Sequence, residues 1–167
     1  VDQQRQPGAA GVPFDVGSFL AEERRLAQVA SVAPSGIPLL GSLWFRYERG
    51  RFWFSSLAGS PLPTAASRGR RVAVIVDDFN PPASIRQVRI RGRGRIEAHD
   101  AETVRRIYRR YLGPEQESWP EFFRLRAEDS ERWLLWSVRP DSGLVVTSPE
   151  YGELERRWTR MSDCPLP

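Results

Sequence analysis

Several short stretches carry groups able to do chemistry. The turn GSPL, residues 59–62, follows a strand-like run and precedes a stretch suited to a helix. Backbone N–H groups at such a helix start favour anions, yet Pro61 and Leu62 stand where a phosphate grip would place arginine or lysine. The run RQVRIRGRGRIEA, 86–98, alternates strictly. On a strand this puts Arg89, Arg91, Arg93 and Arg95 on one face, about 6–7 Å apart, and Val88, Ile90, Gly92, Gly94 and Ile96 on the other. Four like charges in a row need anions: phosphates or nucleic acid, or else salt bridges on a solvent or interface face. The second reading is preferred, because no aromatic residue interleaves with the arginines to stack bases. Asp77 and Asp78 are adjacent, so a strand sends them to opposite faces and a turn role fits better than an acid–base pair. His99, between a strand and a helix, reads as a turn residue, and Cys164 as an exposed tail thiol.

Composition removes whole mechanisms. All 25 basic residues are arginine and lysine is absent, which excludes a Schiff-base lysine and a Walker lysine. One histidine and one cysteine supply neither a His-rich nor a CxxC metal site, and no intramolecular disulfide can form. A chain of 167 residues reads as one domain, spanning 14–160, with a flexible Gln/Gly/Pro-rich arm at 1–13 and a tail at 161–167. The longest apolar run, VAVIV at 72–76, is far too short to span a bilayer. Without an N-terminal apolar h-region, a cytoplasmic chain with no membrane partner is expected.

Those groups need strands to carry them. Helical spacing covers 15–26, with Val16, Phe19, Leu20 and Leu26 near one face. Leu26–Ala33, Pro38–Tyr47 and Arg51–Ser56 read as strands joined by the PSG and ERG turns, an antiparallel meander. A short helix at Ala65–Arg68 leads to an apolar strand, Arg71–Asp77. FNPPAS, 79–84, reads as a loop before the strand Arg86–Glu97. Helices are expected at Ala101–Tyr111 and at Ser118–Arg126, with Pro120 in the first turn of the second. Strands follow at Trp133–Val138 and Leu144–Thr147, then a short helix at 151–160. The aromatics Trp44, Phe45, Phe52, Trp53 and Phe54 read as core or interface. Gly92 and Gly94 mark a barrel bend or a close approach. The whole is mainly β with inserted helices, an antiparallel barrel.

The order of these elements resembles a known family. LAQVASVAPSGIPLLGSLWFRYERGRFWFSS, 26–56, is similar to the first hairpins of the pyridoxamine 5′-phosphate oxidase-like split barrels. The Gly-Ser turn, short helix and Arg-Val-Ala strand continue the pattern, and RQVRIRGRGRIEAHD, 86–100, resembles the family's Arg-Gln-Val strand. The similarity spans roughly residues 20–148.

The resemblance implies a six-stranded antiparallel split β-barrel, a homodimer, and a cofactor, FMN or F420, in the dimer groove. It implies an oxidoreductase passing a hydride between that cofactor and a small-molecule substrate, with the protein supplying orientation and electrostatics and no catalytic side chain. The cofactor-binding positions are then Gly41, Ser42, Leu43, Trp44, Ser55, Ser56, Ser60, Leu62 and Gln87. Family basic positions fall on Pro61, Leu62 and Thr64, and earlier on Leu40 and Phe45. Arg68, Arg71 and Arg86 are candidates to replace them at the phosphate. A non-enzymatic barrel that has lost the phosphate grip is the alternative, and a nucleic-acid binder is a third, weaker one.

Overall fold

The computed structural model describes residues 13–22, 24–81, 84–147 and 154–167. In chain order these form α1 (Val16–Glu22), β1 (Ala27–Val32), β2 (Pro38–Leu43), β3 (Arg46–Glu48), β4 (Arg51–Leu57), α2 (Pro61–Ser67), β5 (Arg71–Asn80) and β6 (Ser84–Ile96). There follow α3 (Ala101–Leu112), α4 (Glu121–Glu128), β7 (Trp133–Thr147) and β8 (Leu154–Trp158). The strands lie in the order β2-β1-β5-β6-β7-β4-β3, with β8 added on β7. All pairings are antiparallel.

The expected strand Pro38–Tyr47 breaks at Trp44 and Phe45. Its first half pairs with β1 and its second with β4. Those halves are the two ends of the sheet, so one bent strand closes a six-stranded barrel made of β1, β2–β3, β4, β5, β6 and β7. The cause of the break is local. Phe45 turns into the barrel core, fully buried, and its N–H donates to the Tyr111 hydroxyl at 3.0 Å instead of to a ladder. Trp44 turns the other way.

Alternation fills the barrel. Phe52, Phe54, Val72, Val74, Val76, Val88, Ile90, Trp136 and Val138 pack inside with Phe45. Arg89, Arg91, Arg93 and Arg95 are all exposed on the opposite face of β6, as period-2 spacing requires. A second apolar cluster joins Val104, Ile107, Tyr108 and Tyr111 of α3 to Trp119 and Ala127, with Trp44, Trp53 and Phe123 against it. The Asp100 side chain caps α3, accepting from the Glu102 N–H, which stops that helix from fraying backwards.

The two strand glycines have different causes. β6 shifts register on β7 between Arg91 and Gly92, and a Cβ at Gly92 would run into the Arg139 carbonyl. A Cβ at Gly94 would stand 2.5 Å from Ala66 Cβ on α2. The first glycine permits a bulge; the second lets a helix sit on the barrel.

Several expectations are corrected. β7 runs unbroken from 133 to 147, because the RPDSG segment stays paired with β6 through the bulge. The expected tail helix is the strand β8 over its described part, held to β7 with Trp158 opposite Gly143; residues 151–153 lie outside the described residues, as do 1–12 of the expected arm. FNPPAS is strand at its start and end, with Asn80 opposite Ser84. Helix α1 ends at Glu22, four residues before the expected stop. Pro120 caps α4 rather than entering it, and 116–118 is a separate 3-10 turn. Cys164 is half-buried against the barrel core, and burial raises its thiol pKa. His99 is partly buried, with Nε2 3.0 Å from the Ala127 carbonyl oxygen.

Candidate functional site

The Gly-Ser turn uses up its own polar groups. Ser60 stands at the N-cap of α2 without a side-chain cap. Its hydroxyl donates to the Leu57 carbonyl at 2.7 Å, and its carbonyl accepts from Thr64 Oγ1 at 2.8 Å. Pro61 removes one N–H from the first turn. Leu62 is 8% exposed and belongs to the barrel core. It presses on β2, where a Cβ at Gly41 would lie 3.1 Å from Leu62 Cδ1. A cation at position 62 would therefore start from the core, not from a loop surface. Ser56 is also inside, accepting from Trp136 Nε1 at 3.0 Å.

Two of the three candidate replacement arginines are held by carboxylates. Arg68 stands at the C-cap of α2, at the end opposite the turn, with its side chain exposed. Arg71 donates to Asp141 at 2.6 Å. Arg86 binds Asp78 Oδ2 through Nε at 3.2 Å and an Nη at 2.7 Å, and lies over the Phe19 ring. The hydrogen bond from Arg86 holds the Asp78 carboxyl below its usual range, with Ser84 and Arg25 assisting against burial. Gln87 accepts from Arg89 Nε on the outer face of β6.

Four of the expected positions do meet. Ser42, Leu43 and Trp44 from the β2 end and Ser55 from β4 line one cleft with Ile107, Tyr108, Phe123 and Arg126. Its volume is about 250 Å³. The β2 break places Trp44 there, stacked on Tyr111 (centroids 4.6 Å, planes 8° apart) and on Phe123 (5.1 Å, 17°). The Tyr108 hydroxyl lies 3.4 Å from Ser55 Oγ; burial raises its pKa.

Arg126 is the residue sequence reasoning missed. Its guanidinium donates to the Ser55 carbonyl at 3.0 Å. It covers the Trp133 ring at 3.5 Å and the Tyr108 ring at 5.4 Å. Its Nε is buried with no hydrogen-bond partner. Burial lowers its pKa, but arginine starts so high that it stays charged. The signal lay in the spacing: Arg126 is three residues after Phe123 and beside buried Ala127, so a helix puts it on the apolar face.

The cleft thus offers flat aromatic walls, two serines and one half-buried cation. Among the described residues, no three His, Cys, Asp or Glu side chains group to hold a metal, and no helix is long and apolar enough to cross a membrane. The family model of pyridoxamine 5′-phosphate oxidase matches residues 18–154. The chain belongs to the pyridoxamine 5′-phosphate oxidase family. Solved structures agree with the split-barrel fold of that family. The conserved hypothetical protein Rv2991 from Mycobacterium tuberculosis aligns with TM-score 0.63 and 19% identity, over 97% of this chain and 94% of its own. An F420 reductase aligns with TM-score 0.54 and 23% identity, over 79% and 98%. HutZ, the heme storage protein of Vibrio cholerae, aligns with TM-score 0.61 and 12% identity, over 81% and 95%. No curated protein matches the sequence.

Proposed function

We propose that the chain is a flavin- or deazaflavin-dependent oxidoreductase of the pyridoxamine 5′-phosphate oxidase family, acting as a homodimer on a small molecule. The carrying observation is the cleft, where the half-buried Arg126 lines a space walled by Trp44, Tyr108 and Phe123. A fixed guanidinium beside aromatic faces suits a flat, anionic ring. FMN or F420 supplies two-electron hydride chemistry when bound.

The chain's own residues bind and tune. The aromatic walls exclude water and offer stacking surface. Ser55 presents a hydroxyl at the rim, 3.4 Å from that of Tyr108, while the Ser42 hydroxyl donates to Gln28 Oε1 at 2.6 Å. Arg126 holds a positive charge in a half-buried wall, where it favours negative charge on a neighbouring ring more than it would in water. The cleft, at about 250 Å³, is below the roughly 300–1,000 Å³ of ordinary small-molecule sites. A flat ring would fill it and extend outward, which supports a second protomer as the other wall. Exposed Ile37 and Leu40, 61% and 76% accessible, offer apolar surface for such a contact.

The phosphate end does not fit the turn at 59–62, since Leu62 is core and Ser60 is engaged. That observation favours a second reading, a barrel that binds another flat ligand without redox turnover. The heme storage role printed for HutZ makes hemin a fair probe, although the lone His99 is tied to the Ala127 carbonyl. Titration of the purified protein with FMN, F420 and hemin, read by absorption, separates the readings. Micromolar binding of FMN or F420, weakened at least tenfold in Arg126→Gln (about 1.4 kcal/mol), supports the oxidoreductase. Neither cofactor binding at about 100 μM sinks it, and hemin binding alone selects the second reading.

A further inference from the structure

Arginines face arginines across the sheet. Arg71 on β5 lies directly opposite Arg93 on β6, and Arg93 lies opposite Arg139 on β7. All three are exposed. Residues directly opposite share a face, so two strand spacings of about 4.8 Å hold the whole row. The turn after α2 adds two more. Gly69, with φ +65°, makes the turn between exposed Arg68 and Arg70. The Arg93 guanidinium donates to the Gly69 carbonyl at 2.9 Å, which ties that turn to the row. Arg68, Arg70, Arg71, Arg93 and Arg139 thus form one belt beside the C-terminal end of α2. It shares no residue with the cleft, and Gln87 lies about 20 Å away along β6.

Folding alone does not favour this pattern. Like charges directly opposite on a sheet are destabilising, and here two such pairs adjoin. Salt bridges do little to relieve them. Among the described residues, Arg71 is the belt member with a carboxylate partner, Asp141 at 2.6 Å. In the β6 row of Arg89, Arg91, Arg93 and Arg95, only Arg95 meets one, Glu97 at 3.5 Å. The salt bridges expected for this face are therefore mostly missing, and the repulsion is left for an external anion to offset.

We propose that the belt is a docking surface for the phosphate backbone of duplex nucleic acid. A duplex carries one negative charge per about 1.7 Å of its axis. An extended acidic peptide carries at most one per roughly 3.3 Å, divided between two faces. The planar forks of arginine match phosphate oxygens two at a time. The five arginines include no aromatic platform of the kind that holds a single strand, and no apolar side chain of the kind that enters a membrane interface. Contacts of this type go to the backbone and read no sequence.

Fluorescence anisotropy of a labelled mixed-sequence DNA duplex of about 20 base pairs, at about 50 and 200 mM salt, tests the proposal. Binding at about 10 μM or tighter is expected at the lower salt. The four arginines without a carboxylate, Arg68, Arg70, Arg93 and Arg139, imply a slope of log affinity on log salt near about −3.6, a loss of roughly a hundredfold between the two salts. The double variant Arg70→Gln/Arg139→Gln should shrink that slope by about 2 and weaken binding at least tenfold at about 50 mM salt. Both side chains are exposed and, among the described residues, neither makes a side-chain hydrogen bond, so the fold should hold, with a melting temperature no lower than that of the parent. Arg124→Gln, exposed on α4 outside the belt, should change affinity less than about twofold. Four results overturn the proposal. They are no binding at about 100 μM protein and 50 mM salt, a loss in Arg124→Gln equal to that in the double variant, displacement of the duplex by polyglutamate or a single strand as effective as by unlabelled duplex, and belt-dependent binding of phosphatidylserine vesicles without binding of the duplex. The belt variants leave Arg126 and the cleft intact, so failure here is distinguishable from failure of the cofactor reading.

Discussion

At the scale of single residues, charge placement is the informative feature. Arg126 both props Ser55 and stacks on Trp133. Arg126→Gln should therefore lower stability by about 2 kcal/mol, combining a charge-assisted hydrogen bond and a cation–π contact, besides its effect on cofactor binding. Thermal melts check the first and titration the second. Asp78 gives a pH test. Its folded pKa is lowered, chiefly by the hydrogen bond from Arg86, so its contribution is full above the unfolded value of about 3.9 and is lost as the pH falls through the lower folded value. Asp78→Asn should cost about 1–2 kcal/mol at pH 7. It should also flatten the fall in melting temperature below about pH 4. An acid limb unchanged in the variant would show that Asp78 does not drive it.

At the scale of elements, the short helix α2 is a packing device. Gly94 lets it approach β6, and Leu62 anchors its first turn in the core. Gly94→Val should push α2 outward and cost about 1–3 kcal/mol by overpacking. Leu62→Lys replaces a buried apolar side chain with a charge. It should cost at least about 3 kcal/mol, roughly 6–12 °C of melting temperature for a domain of this size, and should not raise FMN affinity. Leu62→Met, which keeps the volume, should cost less than about 1.5 kcal/mol. A stable Leu62→Lys protein with improved FMN binding would contradict the core assignment of the turn.

At the scale of the whole molecule, the proposed homodimer makes the first prediction. Light scattering at about 10 μM should give twice the 19.1 kDa chain mass, as expected for interfaces above roughly 1,000 Å². A monomer at that concentration would remove the second wall from the proposed cofactor site. Much of the architecture was legible beforehand. Alternation marked the β6 faces correctly because a sheet side chain has only two directions to choose from. The antiparallel meander followed from the PSG and ERG turns. The tail strand β8 and the continuous β7 were not legible, since both depend on long-range pairing that overrides local turn and helix signals.

By itself the sequence determined the chemistry the chain lacks, without lysine or a metal-binding His/Cys set, and the period that lays Arg89 and Arg91 on one face. It also determined the family, through the order of its strands. Only the tertiary structure decided how those residues are used. Ser56, Ser60 and Leu62 were absorbed into packing, because a buried polar group takes the nearest partner and a buried leucine the nearest core. Arg126 and Trp44 came together across helix and strand breaks, and Arg157 reached Arg89 across β7. Contacts between residues tens of positions apart are set by how elements pack, which no local pattern encodes.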